Sequence, residues 1–504
     1  MKHTIQRQLR TLRAAGYGAA IALGLFGGVG GTPAFAFAQD ATAGTTSTSA
    51  DAALIEKGHQ LAIAADCMAC HTALDGGKPF AGGYGIASPM GQIYSSNITP
   101  SKTAGIGNYT EAQFARALRE GVRADGARLY PAMPYTSYSG LTDDDVLALY
   151  AYFMHAVKPV DDPAPVTNLP FPFGMRTAMA GWNMLFLTNK RFEADPAHDA
   201  QWNRGAYLTN VLAHCSACHT PRNALMAEDF GRNLGGAQLG AWYAPNITSD
   251  PVSGIGAWTD DELVSYLKTG RAPGKNQAAG PMAEAVQNSL QYLSDADLQS
   301  IVTYLRSTKP IRDEHESAPA FTHGSAVSSE ATLRGASALN ANGTLTTGAA
   351  LFSGYCASCH QANGKGSPSQ AYPSLSNNTA TGSRNPSNLI AAILYGVDRD
   401  AGGQHVLMPS FGEDSYVQPL KDDQVAAIAN YVLAQYGNAD VTVTPDDVAV
   451  VRSGGPVPLL VRARPLMLPA PVLVVLLIAL VIMVRRRRAR RVARDGVPPG
   501  QSTV

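Results

Sequence analysis

Charge and cysteine are both scarce in this chain. Only 15% of its 504 residues are Asp, Glu, Lys or Arg, against the usual quarter. The surface is therefore polar without being charged, or covered in part by partners. Positive charge is not in excess either, since 39 basic residues face 39 acidic ones. With the four basic residues near the N-terminus, the seven arginines of the C-terminal tail and Asp495 set aside, 28 basic residues face 38 acidic ones, a body near −10. That balance argues against nucleic acid and against adhesion to anionic lipid, both of which draw on clustered positive charge. Six cysteines in so long a chain also do not make a disulfide framework, which belongs to short, cysteine-dense secreted domains.

All six cysteines fall in three copies of one pattern: Cys67, Cys70, His71 in CMACH; Cys215, Cys218, His219 in CSACH; Cys356, Cys359, His360 in CASCH. A zinc site needs two such pairs within roughly 12–20 residues, but these pairs lie 148 and 141 residues apart. A thioredoxin-like redox pair has no need of a histidine after each second cysteine. C-x-x-C-H is the attachment motif of c-type haem. Thiols three apart on a helical turn face the same way and each forms a thioether to a haem vinyl group. The adjacent histidine then reaches the iron. Three copies predict three covalently bound haem c groups.

An internal repeat organises the chain. The stretch 96–123 reappears at 245–272 with a constant offset of 149, from Asn97 to Asn246 and from Gly121 to Gly270; a weaker third copy sets Gly270 against Gly396 at 126. Each copy reads as short helices joined by Gly- and Pro-rich loops. Gly58, Gly205 and Gly348 sit inside the helices that precede the motifs, at some cost in helix propensity, which a close helix crossing would explain. Thr110 with Gln113 and Thr259 with Glu262 are capping boxes opening the next helix, and Asn385-Pro386 serves as N-cap and first residue in the third copy. A last helix carries Tyr152, Tyr304 and Tyr431 at matching places.

The same offsets link three methionines. Met133 lies in LYPAMPY, a segment that prolines keep out of helix and central strand. Adding 149 gives Met282, and adding 126 gives Met408, each beside proline. They are expected in loops as the sixth iron ligands, soft thioethers that favour Fe(II) and raise the potential. Met90, Met154 and Met226 share no such register and belong to core or surface. His214 abuts the second motif and His405 stands three residues before Met408. Either is a candidate for tuning a haem or ligating it in a minor state, with solvated loop positions the preferred reading. His59, His155, His198, His315 and His323 follow no pattern.

Residues 1–38 have four basic residues, then an apolar stretch and AFAFAQ, a secretory signal with cleavage after Ala38. Residues 465–484 form an apolar run followed by RRRRARR. Twenty residues at 1.5 Å each give about 30 Å, one bilayer core, with the tail cytoplasmic by the positive-inside rule. The domains expected are 39–165, 201–315 and 341–440, with linkers at 166–200 and 316–340, a tether at 441–464, the spanning segment at 465–484 and a tail at 485–504.

With three C-x-x-C-H motifs, a signal, and the motifs NIT, GIG and LYPAMPY over roughly residues 50–440, the chain resembles the tri-haem cytochrome c subunits of bacterial membrane-bound dehydrogenases. That family includes gluconate, fructose, sorbitol, alcohol and aldehyde dehydrogenase complexes. The fold expected is all-α: three tandem class I cytochrome c domains plus one C-terminal transmembrane helix. The resemblance implies a periplasmic catalytic partner carrying FAD or pyrroloquinoline quinone, a small accessory subunit, electron delivery to ubiquinone, and location at the inner membrane. On this reading the chain is not catalytic alone. The alternatives are a free-standing tethered multihaem relay and, less favoured, a multihaem redox enzyme, which would need an open iron position where each site here offers a methionine.

Overall fold

The computed structural model describes residues 42–74, 76–328, 345–467 and 479–486. The chain divides into Met1–Ser49 and Ala50–Val504. Of the first unit only the opening of one helix is described, and the segment read as a signal lies outside the described residues.

In the first repeat α1 (Thr42–Ala64) runs to the motif helix α2 (Cys67–His71). A hairpin of β1 (Gly85–Ser88) and β2 (Gly91–Tyr94) follows, then α3 (Glu111–Glu120), α4 (Tyr135–Tyr138) and α5 (Asp143–His155); α6 (Ala178–Phe186) lies in the connection. The second repeat has α7 (Ala200–Tyr207), continued by one π-helical turn at Leu208–Leu212, and α8 (Ser216–His219). It goes on with β3 (Ala237–Leu239), β4 (Trp242–Ala244), α9 (Asp260–Thr269), β5 (Arg271–Ala272), β6 (Asn276–Gln277), α10 (Gly280–Asn288) and α11 (Asp295–Arg306). The third has α12 (Gly348–Tyr355), α13 (Ala357–His360), α14 (Thr379–Gly382), α15 (Ser387–Tyr395), β7 (Val397–Ala401), β8 (Gln404–Met408) and α16 (Asp422–Tyr436), followed by α17 (Pro445–Arg452), α18 (Leu459–Arg462) and α19 (Arg464–Met467).

The helical frame of each repeat is set by a glycine. A Cβ at Gly58 would overlap the carbonyl oxygen of Ala148, one at Gly205 that of Ser300, and one at Gly348 that of Ala427, so α1, α7 and α12 lie backbone to backbone on α5, α11 and α16. Tyr152, Tyr304 and Tyr431 are at the same crossings, with Cβ atoms 2.7, 3.0 and 2.8 Å from those positions. The 0.5–1 kcal/mol that glycine costs inside a helix is offset by this close packing. Both capping boxes form, on Thr110 and Thr259. In the third repeat Pro386 takes the N-cap place, and Asn385 Oδ1 accepts from Ser387 N at 2.9 Å.

Two parts of the expected fold class need correction. The fold is not all-α: the described residues include four two-stranded antiparallel hairpins. The longest is β7–β8, closed by Gly402 and Gly403 at φ of +58° and +68°. That two-residue turn needs left-handed backbone at both positions and matches the strand twist. The transmembrane helix is not shown either. No helix of the described residues is long and apolar enough to cross a membrane. Residues 468–478 of that run lie outside the described residues.

Packing groups the repeats unequally. One continuous buried cluster runs from Leu61 and Phe153 of the first repeat to Leu212 and Ile301 of the second; a separate one, around Leu351, Ile390 and Tyr436, serves the third. The connection expected as a linker at 166–200 is a strap on the first domain. Tyr130 Oη donates to Phe173 O at 3.1 Å, the Arg176 guanidinium lies 4.5 Å from the Tyr130 ring centre, and Tyr135 Oη donates to Asn183 Oδ1 at 2.8 Å.

Candidate haem centres

Each motif folds as a short helix, α2, α8 or α13, which puts the two thiols of each pair on one face. None of the six cysteines is in a disulfide. Burial pushes the thiols of Cys67, Cys70, Cys215 and Cys356 up to about 12. The three histidines are oriented alike. His71 Nδ1 lies 2.7 Å from Ser96 O, His219 Nδ1 2.6 Å from Pro245 O, and His360 Nδ1 3.0 Å from Pro373 O. A carbonyl only accepts, so Nδ1 carries the proton and donates, which leaves the Nε2 lone pair free for a metal. Burial lowers the pKa of all three rings, favouring this neutral form.

The NIT and GIG motifs build the wall beside His71 and His219. Asn97 Nδ2 donates to Val160 O (2.8 Å) and its Oδ1 accepts from Thr99 N (2.9 Å); Asn246 makes the matching bonds to Ile311 O (2.6 Å) and Thr248 N (2.8 Å). Ile106 N then donates to Thr99 O, and Ile255 N to Thr248 O, both at 2.9 Å. These turns bring Ile98, Ile106, Ile247 and Ile255 to one surface.

That surface belongs to a cavity of about 2110 Å³ lined by residues of all three repeats. It brings together Cys67, Cys70, His71 and Met133; Cys215, Cys218, His219 and Met282; and Cys356, Cys359, His360 and Met408. Protein interiors are packed so closely that voids much larger than a water are few. A space of this size walled by Phe114, Phe153, Trp258 and Phe411 fits large, flat, apolar prosthetic groups, with thiols, an imidazole and a thioether at each of three places.

The methionines were expected in loops, and two are not. Met133 is held in a turn: its N–H donates to Tyr130 O at 3.1 Å, and its carbonyl accepts from Tyr135 N at 2.8 Å. Met282 lies in the first turn of α10, opened by Pro281, and Met408 ends β8 opposite Val397. Three unlike backbones thus bring sulfur to the same cavity. His405 stays out of it, exposed, with Nε2 2.8 Å from Asp398 Oδ1.

His214, expected in a solvated loop, is half-buried between the first two repeats, its ring edge-on to Tyr138 with centroids 5.6 Å apart. Desolvation holds its pKa down at about 4. From the ordinary ~6.5 downward the unfolded chain binds a proton that the folded one refuses. Stability therefore falls as the pH is lowered through that window, by about 3 kcal/mol near pH 4 at ~1.36 kcal/mol per pH unit. Melting curves at stepped pH should show this loss in the native protein and a smaller one in His214→Phe; equal slopes would reject it.

Glu284 was not singled out from sequence. It stands 149 residues after Tyr135, at the equivalent place, yet it turns to the first domain, where Tyr84 Oη donates to its Oε2 at 2.9 Å. Burial raises the pKa of Glu284 and of nearby Asp66. The repeat offset carried the signal, a carboxylate where the first copy has an aromatic ring.

Comparison with known proteins agrees with this geometry. The cytochrome c family model matches residues 55–156, 204–309 and 345–435. The fructose dehydrogenase cytochrome subunit of Gluconobacter japonicus is 55% identical over 425 residues, covering 83% of this chain and 87% of that protein. The cytochrome c subunit of the quinone alcohol dehydrogenase of Gluconacetobacter polyoxogenes is 38% identical over 423 residues (81% and 86%), and the gluconate 2-dehydrogenase cytochrome c subunit of Pantoea cypripedii 38% over 416 (80% and 90%). With three matched domains and relatives aligned along most of its length, the chain belongs to the cytochrome c family, among the cytochrome subunits of bacterial dehydrogenases.

Proposed function

We propose that the chain is the electron-transfer subunit of a membrane-bound dehydrogenase complex. It receives electrons from a catalytic subunit and carries them through three c-type haems to ubiquinone. The observation that carries this reading is the single cavity in which three complete sets of attachment and ligand residues meet. Bound haem c supplies one-electron exchange between Fe(II) and Fe(III). The rest falls to the chain. Cys67, Cys70, Cys215, Cys218, Cys356 and Cys359 would fix each group covalently. His71, His219 and His360 would offer Nε2 to the iron, and Met133, Met282 and Met408 would offer their sulfur. The isoleucines and aromatic rings of the wall keep water out.

Residues of the first and second repeats interleave along this cavity, as do those of the second and third. Tyr84 bonds Glu284 across the first boundary; Tyr243 N donates to Asn388 Oδ1 (2.9 Å) and Asn388 Nδ2 to Tyr243 O (2.8 Å) across the second. This arrangement supports a linear relay with the second haem in the middle. The similarity to a fructose dehydrogenase cytochrome subunit supports a sugar or polyol as the substrate of the catalytic partner. The reading of residues 1–38 as an export signal supports a periplasmic body.

Pyridine haemochrome assay of the purified chain should give three haems c per chain, all retained on a denaturing gel; two or fewer would sink the three-site reading. Co-purification should bring down a large subunit, whose extracted cofactor, FAD or pyrroloquinoline quinone, decides the class of the complex. Isolation as a lone cytochrome in gentle detergent would favour the free-standing relay.

A further inference from the structure

Arg399 is completely buried, at 0% exposure, on β7 of the third domain. It reaches across the boundary into the second. Nη1 donates to Ala278 O and Nη2 to Gln277 Oε1 at 3.5 Å, while Nε has no partner. Neither bonded group is a carboxylate. Burial lowers its pKa, yet a guanidinium keeps its proton in proteins. A buried charge without a counter-charge is unfavourable, so its surroundings must offset it. α9 ends against it: a Cβ on its C-cap Gly270 would meet Arg399 Nε, Cζ and Cδ at 2.8, 2.9 and 3.0 Å. The negative end of the α9 dipole therefore faces the cation.

The first repeat shows what is unusual here. Beside Gly121, the counterpart of Gly270, the space is filled from within the domain by the Tyr135 ring, 2.6 Å from a would-be Cβ. In the second repeat the counterpart of Tyr135 is Glu284, which is committed to Tyr84 of the first domain. The vacated place is taken by an arginine lent by the third domain. Ala278 and Gln277, which Arg399 holds, lead directly into Met282, and both line the cavity together with Tyr266 and Leu267.

We propose that Arg399 is a positioning residue for the second haem: its fork holds the segment leading to Met282, and its fixed charge raises that haem's reduction potential. A positive charge destabilises Fe(III) more than Fe(II), and a dry interior screens it little. Docking of the third domain thus sets the potential of a group bound in the second. The inference rests on the reading that His219 and Met282 hold that haem.

The test is an optical redox titration of the full-length holoprotein and its variants. Three haems per chain, and a wave that moves in Met282→Ala, secure the underlying reading independently of Arg399 and identify the second haem. Arg399→Gln removes the charge and keeps a polar amide at this position. The second haem's wave should then move to lower potential with the other two unmoved, and Arg399→Lys, which keeps the charge, should stay nearer the native value. Arg399→Met, neutral and of similar length, is read in the same way if the Gln variant does not assemble with three haems. An unmoved second wave in a neutral variant, or an equal shift in the Lys variant, would overturn the proposal.

Discussion

Replacing Cys215 and Cys218 with alanine is expected to cost far more than one haem. The second domain should lose its fold, and the first should follow. The cavity amounts to about 700 Å³ per site, from a total of 2110 Å³. Without its group each site exposes its apolar lining to water, a loss set against only the roughly 5–15 kcal/mol that holds a whole domain together. An unfilled site therefore collapses or unfolds. The first and second domains share one buried cluster, in which Tyr138, Tyr207, Val211 and Leu212 pack together, while the third has its own. Limited proteolysis with haem staining of the fragments should accordingly show an asymmetry. Cys215→Ala with Cys218→Ala should leave a protected fragment of the third domain alone. Cys356→Ala with Cys359→Ala should leave the first two domains protected and haem-bearing. Independent loss of single domains in both variants would mean that the shared cluster does not couple them.

Single replacement of Met133, Met282 or Met408 by alanine should remove the soft axial ligand from one iron at a time. In each variant the weak far-red sulfur-to-iron band should diminish. One of three reduction waves should fall by on the order of 0.1–0.3 V, within the about 0.8 V over which axial ligands set haem potentials. Electron delivery to quinone should slow, while dye reduction at the catalytic subunit should persist. Met408 should behave like the other two and His405→Ala should be silent, because His405 is exposed and engaged with Asp398 at 2.8 Å, outside the cavity. A silent Met408→Ala together with an altered His405→Ala spectrum would reverse that assignment.

Chemistry that is local in sequence was legible without a structure. Thioether attachment needs two thiols and a histidine within five residues, so Cys67, Cys70 and His71 declare themselves, as do the other two sets. Duplication keeps register, so constant offsets pointed to Met133, Met282 and Met408, which all line the cavity although two of the three stand on backbone other than loop. The glycine at each helix crossing and the capping boxes on Thr110 and Thr259 were equally readable, since each is a requirement of its own helix. The hairpin β7–β8 had a visible signal in Ala401-Gly402-Gly403-Gln404, which the helical reading of the repeat passed over.

Other features have no local signature. His214 looks like any loop histidine until Tyr138 of the preceding domain closes over it. Arg399 sits in a run of charged residues that reads as solvated, and only the docking of the third domain buries it against Gly270 and Ala278. The exchange by which Glu284 serves the first domain and Arg399 the second is a contact between residues more than a hundred positions from their partners. The sequence by itself determined the haem c reading and the residues it rests on, because attachment motifs are short and local. Only the tertiary structure decided that the three sites open into one cavity and that a charge from one domain stands behind the site of another. Such juxtapositions arise from packing between domains, to which neither periodicity nor motif spacing responds.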